Sequence, residues 1–246
     1  MDALTRVHDH RTAARPRRAA PLGALLLGLA LLPPALVPAT PAAAARCPGE
    51  DRPVQVRLDT RFDTARLDHT RGRDTINRLH QKTLEGEATI PTHGSAVGLT
   101  TTRSEFRFNT RTQYYRRSDG RYCVYLRAVE AELNQVDTMV YVSREFPKGS
   151  CNYNVTYQHE KKHVGIYYFT QKDYAPRIRA ALARLVRNVN PRIVRSPADA
   201  RTVHAAEINA GIAPLLAEME AERKRRNALL DTPENYAAER AKCPTW

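Results

Sequence analysis

The segment of this chain with the clearest chemical potential is H-E-K-K-H at residues 159–163. In a helix, His159 and His163 would lie one turn apart on the same face, so both imidazoles could bind one metal ion. Glu160 would be rotated from His159 by about 100°, which places its carboxylate beside the open coordination position of that ion. The pattern therefore predicts a Zn²⁺ site in which Glu160 activates a zinc-bound water.

Chance is the alternative explanation of this motif. Composition alone predicts roughly 0.015 matches to H-E-x-x-H in a chain with this content of His and Glu. The match also falls in a segment whose residue pattern is helical. The competing interpretation is a pair of surface histidines beside an ordinary solvated glutamate.

A third protein ligand must come from elsewhere in the chain, because zinc sites with an open position use three. An extended signature with Gly and His at positions 166 and 169 is excluded, since those positions hold Ile and Phe. If two long helices pack as an antiparallel hairpin, residues 225–231 lie opposite the two histidines. This geometry favours Asp231 as the third ligand.

Several other donors remain open. Glu207, on the following helix, is the alternative third ligand, and His204 and Glu222 are further candidates. A hydroxyl aimed at the oxyanion would stabilise the transition state of a hydrolysis. Tyr236 and Tyr167 are the candidates for this role, and Tyr236 is taken as the catalytic one.

The elements that must position these residues occur in an order of strands first and helices second. Side chains alternate with period two over 104–115, which predicts a strand. Segments 122–133 and 136–146 flank Asn134-Gln135 and predict an antiparallel hairpin. The remaining pattern predicts a strand at 51–58, a helix at 72–84, a long helix at 152–189 with a possible kink at Pro176, and a helix at 199–230.

This order predicts an α+β domain over residues 46–246. A small antiparallel sheet in the N-terminal half would pack on a long helical hairpin that carries H-E-x-x-H. The strand at 136–146 would offer its edge to an extended peptide.

The first 45 residues are typical of a signal peptide. Arginines at 17 and 18 precede an apolar run at 22–32, and the small residues at 42–45 offer a cleavage site. An apolar run of this length is shorter than the roughly 20 residues that a membrane-spanning helix needs. We therefore expect a protein that is exported to the periplasm or secreted, without a transmembrane anchor.

The four cysteines predict two disulfides in an exported chain. Three connectivities are possible. We favour Cys123–Cys151, which would close a loop around the predicted hairpin, and Cys47–Cys243, which would join the two ends of the mature chain. No pair has the C-x-x-C spacing of a zinc site.

The formal net charge is +13, of which residues 1–45 contribute +3 and the rest +10. Such a balance raises nucleic acid as a partner, but no nucleic-acid-binding motif accompanies it. The basic cluster at 223–226 follows glutamates at 218, 220 and 222, so it is interpreted as a solvated face of ion pairs. We therefore expect no nucleic-acid partner.

The motif and its surroundings resemble the zincin metallopeptidases. The chain also looks like a group of predicted secreted zinc-dependent proteases of bacteria, in which a cysteine shortly precedes H-E-x-x-H and a late Asp/Thr segment follows. Here these are Cys151 and residues 230–236. The resemblance implies that His159 and His163 are zinc ligands and that Glu160 is the general base and acid.

Two functions follow from these patterns. The first is an exported zinc-dependent metallohydrolase, in the first instance a peptidase acting on a peptide or protein substrate. The alternative is a disulfide-stabilised binding or structural protein of the cell envelope, without catalysis.

Overall fold

The computed structural model describes residues 47–48, 52–83 and 96–246, so the expected signal peptide at 1–45 lies outside the described residues. Residues 46–246 group into one compact unit. The elements are β1 Gln55–Phe62, β2 Arg66–Asp68, α1 Arg73–Thr83, β3 Gly98–Arg116, β4 Tyr122–Val142, α2 Cys151–Val189, β5 Arg192–Val194, α3 Pro197–Leu230 and α4 Pro233–Arg240.

All of the described strands pair with β4, which forms the centre of the sheet. β3 pairs antiparallel along the length of β4, and β5 pairs antiparallel with its beginning. β1 and β2 pair with β4 in parallel. The α+β class is therefore confirmed, but a purely antiparallel sheet is wrong. After α1, β3 runs in the opposite direction to β1 and β2, and the next strand, β4, reverses again and therefore runs parallel to them.

The predicted hairpin around Asn134-Gln135 is also wrong, because β4 continues through these residues without a turn. A β-bulge lies just beyond them. Asp137 has a positive φ of 57°, and two residues of β4 stand opposite Thr102 of β3. The bulge shifts the buried side of β4 from odd to even positions. The hairpin turn lies instead between β3 and β4, where Gly120 has a φ of 81°.

This pairing removes the peptide-binding edge predicted at 136–146. Within that segment, Met139 and its neighbours pair with β3 on one side and with β2 on the other. Residues 143–146 lie beyond the end of the strand. A strand edge that could pair with a peptide must therefore belong to another strand.

The two faces of the sheet differ sharply in polarity. Leu58, Ala131 and Phe108 stand side by side on the face covered by the long helices. The neighbouring row, which points to the opposite face, is Asp59, Glu132 and Arg107. Cross-strand ion pairs join arginines and acids there, for example Arg61 with Glu132 at 3.2 Å. Many of the arginines are thus paired on one solvated surface, as expected of a sheet with one open face.

The helical hairpin is confirmed. α2 begins after Ser150, whose hydroxyl accepts from the backbone N–H of Tyr153 at 3.2 Å. α3 begins with a capping box between Ser196 and Asp199. The two helices pack on each other and on the sheet through fully buried apolar side chains, among them Ile178, Leu182, Ile208 and Ile212.

α2 continues through Pro176 as a single helix. In the part of the chain described, no helix has the combination of length and apolar character needed to cross a bilayer.

The basic cluster at 223–226 is only partly the solvated face that was predicted. Arg225 and Arg226 pair with Glu222 at 2.7 Å. Arg223, in contrast, is 2 % exposed and points between α2 and the sheet, where it contacts Ser104 and Gln171. The prediction is wrong for Arg223, because this position faces the sheet when α3 packs against α2.

Two disulfides are present, as predicted, but both pairings differ from the predicted ones. Cys47 is bonded to Cys123, and Cys151 to Cys243. Cys123 lies at the beginning of β4 and Cys151 beyond its end, so a strand of 21 residues separates them by tens of ångströms. Cys123 instead meets the segment at 47–48, where Tyr125 donates a hydrogen bond to the carbonyl of Pro48 at 2.7 Å. Disulfides are common in exported proteins, so the two bonds fit the expected export.

Candidate metal centre

His159, Glu160 and His163 come together in the third and fourth turns of α2 and form a buried group that can hold a metal ion. The two Nε2 atoms lie 3.1 Å apart, and both histidine residues are less than 10 % exposed. The helical spacing of the motif therefore has the geometric effect expected from the sequence.

Asp231, the residue that ends α3, reaches the same point from the opposite helix. Its Oδ1 lies 3.1 Å from Nε2 of His159 and 3.2 Å from Nε2 of His163. Ligand atoms of a tetrahedral ion with bonds of about 2.0–2.1 Å are about 3.3 Å apart. The three donor atoms therefore fit one face of such a site. Ligation by Asp231 stays a prediction.

The other candidate ligands lie elsewhere. Glu207 pairs with Arg192 at 2.7 Å, at the far end of the helical hairpin. His204 is completely buried in the same region, and Glu207 and Arg192 are the charged groups that act on it. Burial lowers its pKa. Glu222 pairs with arginines on its own helix. Among the described residues, no hydrogen bond or ion pair joins these three side chains to His159 or His163.

Glu160 is not one of the three donors just described, which are His159, His163 and Asp231. It is as buried as the two histidines, at 5 % exposure. The hydroxyl of Thr100 in β3 lies 2.8 Å from Oε2 of Glu160 and 3.0 Å from its backbone carbonyl. Gly98 leaves the space for this carboxylate, because a Cβ there would collide with Oε1 and lie 3.0 Å from Cδ. Burial raises the pKa of Glu160, against the opposing effect of the two histidines and Thr100.

A second layer of polar groups contacts the outer nitrogens of both rings. Nδ1 of His163 lies 2.8 Å from the amide oxygen of Asn227, and Nδ1 of His159 lies 2.8 Å from Oε2 of Glu239. The other oxygen of Glu239 accepts from Lys162 at 2.6 Å. Partners of this kind orient imidazoles for metal binding.

Sequence reasoning missed these second-layer residues for different reasons. Asn227 precedes Asp231 by one helical turn, so the i, i+4 rule could have placed it on the same face. Glu239 lies on α4, and no spacing signal connects it with the motif. Thr100 and Gly98 depend on the path of β3, which the sequence pattern did not determine.

Tyr236, the predicted catalytic tyrosine, lies over His159 with ring centroids 5.3 Å apart. Its hydroxyl donates to Oδ1 of Asp231 at 2.7 Å. Burial and the carboxylate of Asp231 both raise its pKa, so the hydroxyl keeps its proton. Tyr167 is partly buried beside Arg223, whose guanidinium lies 5.7 Å from the ring centroid. A catalytic role for either tyrosine stays a prediction.

The electrostatics of the group favour a cation. Glu160, Asp231 and Glu239 bring three carboxylates to two imidazoles. Burial disfavours protonation of His163, but Asp231 and Glu160 outweigh it and raise its pKa to about 9. Burial also disfavours ionisation of Asp231, and its contacts with His159 and His163 nevertheless hold its pKa well below the usual value. Without a metal ion, the proton on His163 supplies the positive charge beside these carboxylates.

Comparisons with protein families, with curated proteins and with solved structures gave no match to this chain.

Proposed function

We propose that this protein is a zinc-dependent hydrolase, in the first instance a peptidase, in which His159, His163 and Asp231 hold the ion. The observation that carries the proposal is the convergence of three donor atoms within 3.2 Å of one another beside a separate buried carboxylate. Two imidazole nitrogens and one carboxylate oxygen form a donor set typical of catalytic zinc, whereas Mg²⁺ and Ca²⁺ prefer oxygen alone. All four cysteines are in disulfides and are not available as ligands.

Glu160 is the proposed general base. When bound, zinc supplies a Lewis acid that lowers the pKa of water and polarises a carbonyl. Glu160 then accepts a proton from the attacking water and delivers it to the leaving group. Its burial favours this role, because a raised pKa makes the carboxylate a better proton acceptor near neutral pH. Thr100 holds one carboxylate oxygen and thereby fixes the direction of the other.

An extended peptide is the proposed substrate because of the position of β3. Among residues 52–83 and 96–246, no strand pairs with the outer edge of β3. Gly98 and Thr100, at the beginning of this strand, contact Glu160. A peptide that added to this edge would bring its backbone carbonyls past the general base.

The burial of the group favours a second candidate, a structural metal site. Structural zinc sites have four protein ligands and no open position. Glu160 lies within the same group of donor atoms as the two histidines and could supply the fourth ligand. The protein would then be the disulfide-stabilised envelope protein without catalysis.

The variant Glu160→Gln separates the two candidates. In a hydrolase, the variant retains one zinc per chain and loses roughly 10²–10⁴-fold in the rate of peptide cleavage, because only proton transfer is removed. In a structural site, the variant loses zinc affinity and thermal stability. Zinc content, zinc affinity and cleavage of a quenched peptide library are measured on both proteins. Glu234→Gln, on the exposed side of α4, is the control and should match wild type. Wild-type protein without zinc would refute both candidates.

A further inference from the structure

Glu239 is a buried carboxylate that the proposed reaction does not use. It is 8 % exposed, although it lies on a short helix of eight residues at the surface. Its Oε2 faces Nδ1 of His159 at 2.8 Å, while Asp231 faces Nε2 of the same ring at 3.1 Å. His159 is thus held between two carboxylates, one on each nitrogen.

An ion pair with Lys162 does not account for this arrangement. The side chain of Lys162 is 50 % exposed, and pairs of this kind contribute little to stability. Burying a carboxylate is costly unless each oxygen has a partner. Lys162 satisfies Oε1 alone. Oε2 lies 2.8 Å from Nδ1 of His159, a buried nitrogen that has no aligned hydrogen bond to any other group.

We propose that Glu239 is the positioning residue of His159. By accepting the proton of Nδ1, it fixes the tautomer in which Nε2 presents its lone pair to the metal, and it makes that nitrogen a stronger donor. The inference rests on the metal-binding part of the proposed function and is independent of whether the protein is catalytic.

The structure holds α4 in place at both of its ends. Thr232 caps the beginning of the helix by accepting from the backbone N–H of Asn235 at 3.2 Å. Beyond its end, Cys243 is bonded to Cys151, and the amide of Asn152 donates to the carbonyl of Thr245 at 2.7 Å. The first turn of α2 therefore anchors the segment that carries Glu239, and the distance between Glu239 and His159 is fixed by covalent and hydrogen-bonded contacts.

The test compares Glu239→Gln with Glu234→Gln, a matched change on the exposed side of the same helix. Zinc dissociation constants are measured by competition with a chromophoric chelator. We expect Glu239→Gln to bind zinc about 10–100-fold more weakly than wild type and Glu234→Gln to bind as wild type does. In ¹⁵N spectra of the zinc-loaded protein, the Nδ1 signal of His159 should shift in Glu239→Gln, while that of His163 stays in place.

The metal-free form of each variant is melted in parallel, so that loss of affinity can be distinguished from loss of folding. If Glu239→Gln does not fold, Glu239→Asp is measured in the same way, since it keeps the charge but withdraws it from the ring. Unchanged zinc affinity in a folded Glu239 variant would overturn the inference. A wild-type protein that binds zinc but cleaves no peptide would contradict the hydrolase proposal and leave this inference intact.

Discussion

Gly98→Ala is the change that tests most directly whether β3 holds Glu160 in its working position. A Cβ at this position would lie 2.7 Å from the methyl of Thr156 and 3.0 Å from Cδ of Glu160, and closer still to Oε1, whereas ordinary contact begins near 3.4 Å. The Glu160 carboxylate must therefore move by about half an ångström or more. The colliding atoms are side-chain atoms, so the movement is local.

The expected effect is larger on catalysis than on stability. A misplacement of about 1 Å can lower a rate by about 10²-fold, so a shift of this size predicts a loss of roughly 10–100-fold in kcat. Overpacking of a core costs about 1–3 kcal/mol of unfolding free energy, and the flexible end of a glutamate side chain favours the lower part of that range. Zinc affinity should change little, because Glu160 is outside the proposed set of ligands.

The assay compares kcat for a quenched peptide, zinc affinity and the unfolding free energy of Gly98→Ala with those of Gly165→Ala. Gly165 is a matched control, because it lies on α2 close to His163 and a Cβ there would meet only Phe169, at 4.0 Å. Gly165→Ala should keep the kcat and zinc affinity of wild type, and its unfolding free energy should rise by about 0.5–1 kcal/mol because alanine favours the interior of a helix. If Gly98→Ala also retained wild-type kcat, the idea that this glycine determines the position of the general base would be refuted.

The remaining predictions concern the disulfides and one buried histidine. Two double variants remove one disulfide each: Cys151 and Cys243 are replaced by serine in the first, Cys47 and Cys123 in the second. Each should lower the unfolding free energy by about 2–5 kcal/mol. Only the first should weaken zinc binding, because only the bond between Cys151 and Cys243 anchors α4. Zinc affinity is measured by chelator competition, and an equal loss in the two double variants would contradict this prediction. Burial lowers the pKa of His204 in the folded protein. The contribution of His204 to stability is therefore complete above its unfolded pKa near 6.5 and is lost as the pH falls below that value. Denaturant titrations from pH 7.5 to 5 should show a smaller loss of stability in His204→Asn than in wild type.

The candidate metal centre could be anticipated from sequence where helical geometry alone decides the positions. His159 and His163 needed only the period of an α-helix. Asp231 required one further assumption, that two long helices pack antiparallel, and the structure places Asn227 and Asp231 opposite the motif as that assumption requires. Both helices run without interruption, so counting residues along them predicts correctly which positions face each other.

The sheet and the disulfides could not be anticipated in the same way. The bulge at Asp137 preserves a buried face while breaking the period of two, so the segment resembles two strands when only residue types are considered. Cysteine pairing depends on how far β4 carries the chain, and the predicted turn at 134–135 made that distance too short. Glu239 joins the site through the return of α4 along α2, which is a tertiary contact without a local sequence pattern.

The position of the donors along the chain determines when the site can exist during synthesis. Asp231 follows His163 by 68 residues, and Glu239 comes later still. At about 5–20 residues per second, a ribosome needs roughly 3–14 s to add that stretch. During this interval only the two histidines of the proposed donor set are present, and a pair of imidazoles would favour Cu²⁺ over Zn²⁺. Asp231, the third donor of the proposed site, and Glu239, the neighbour of His159, therefore join it only after α3 and α4 have packed on α2.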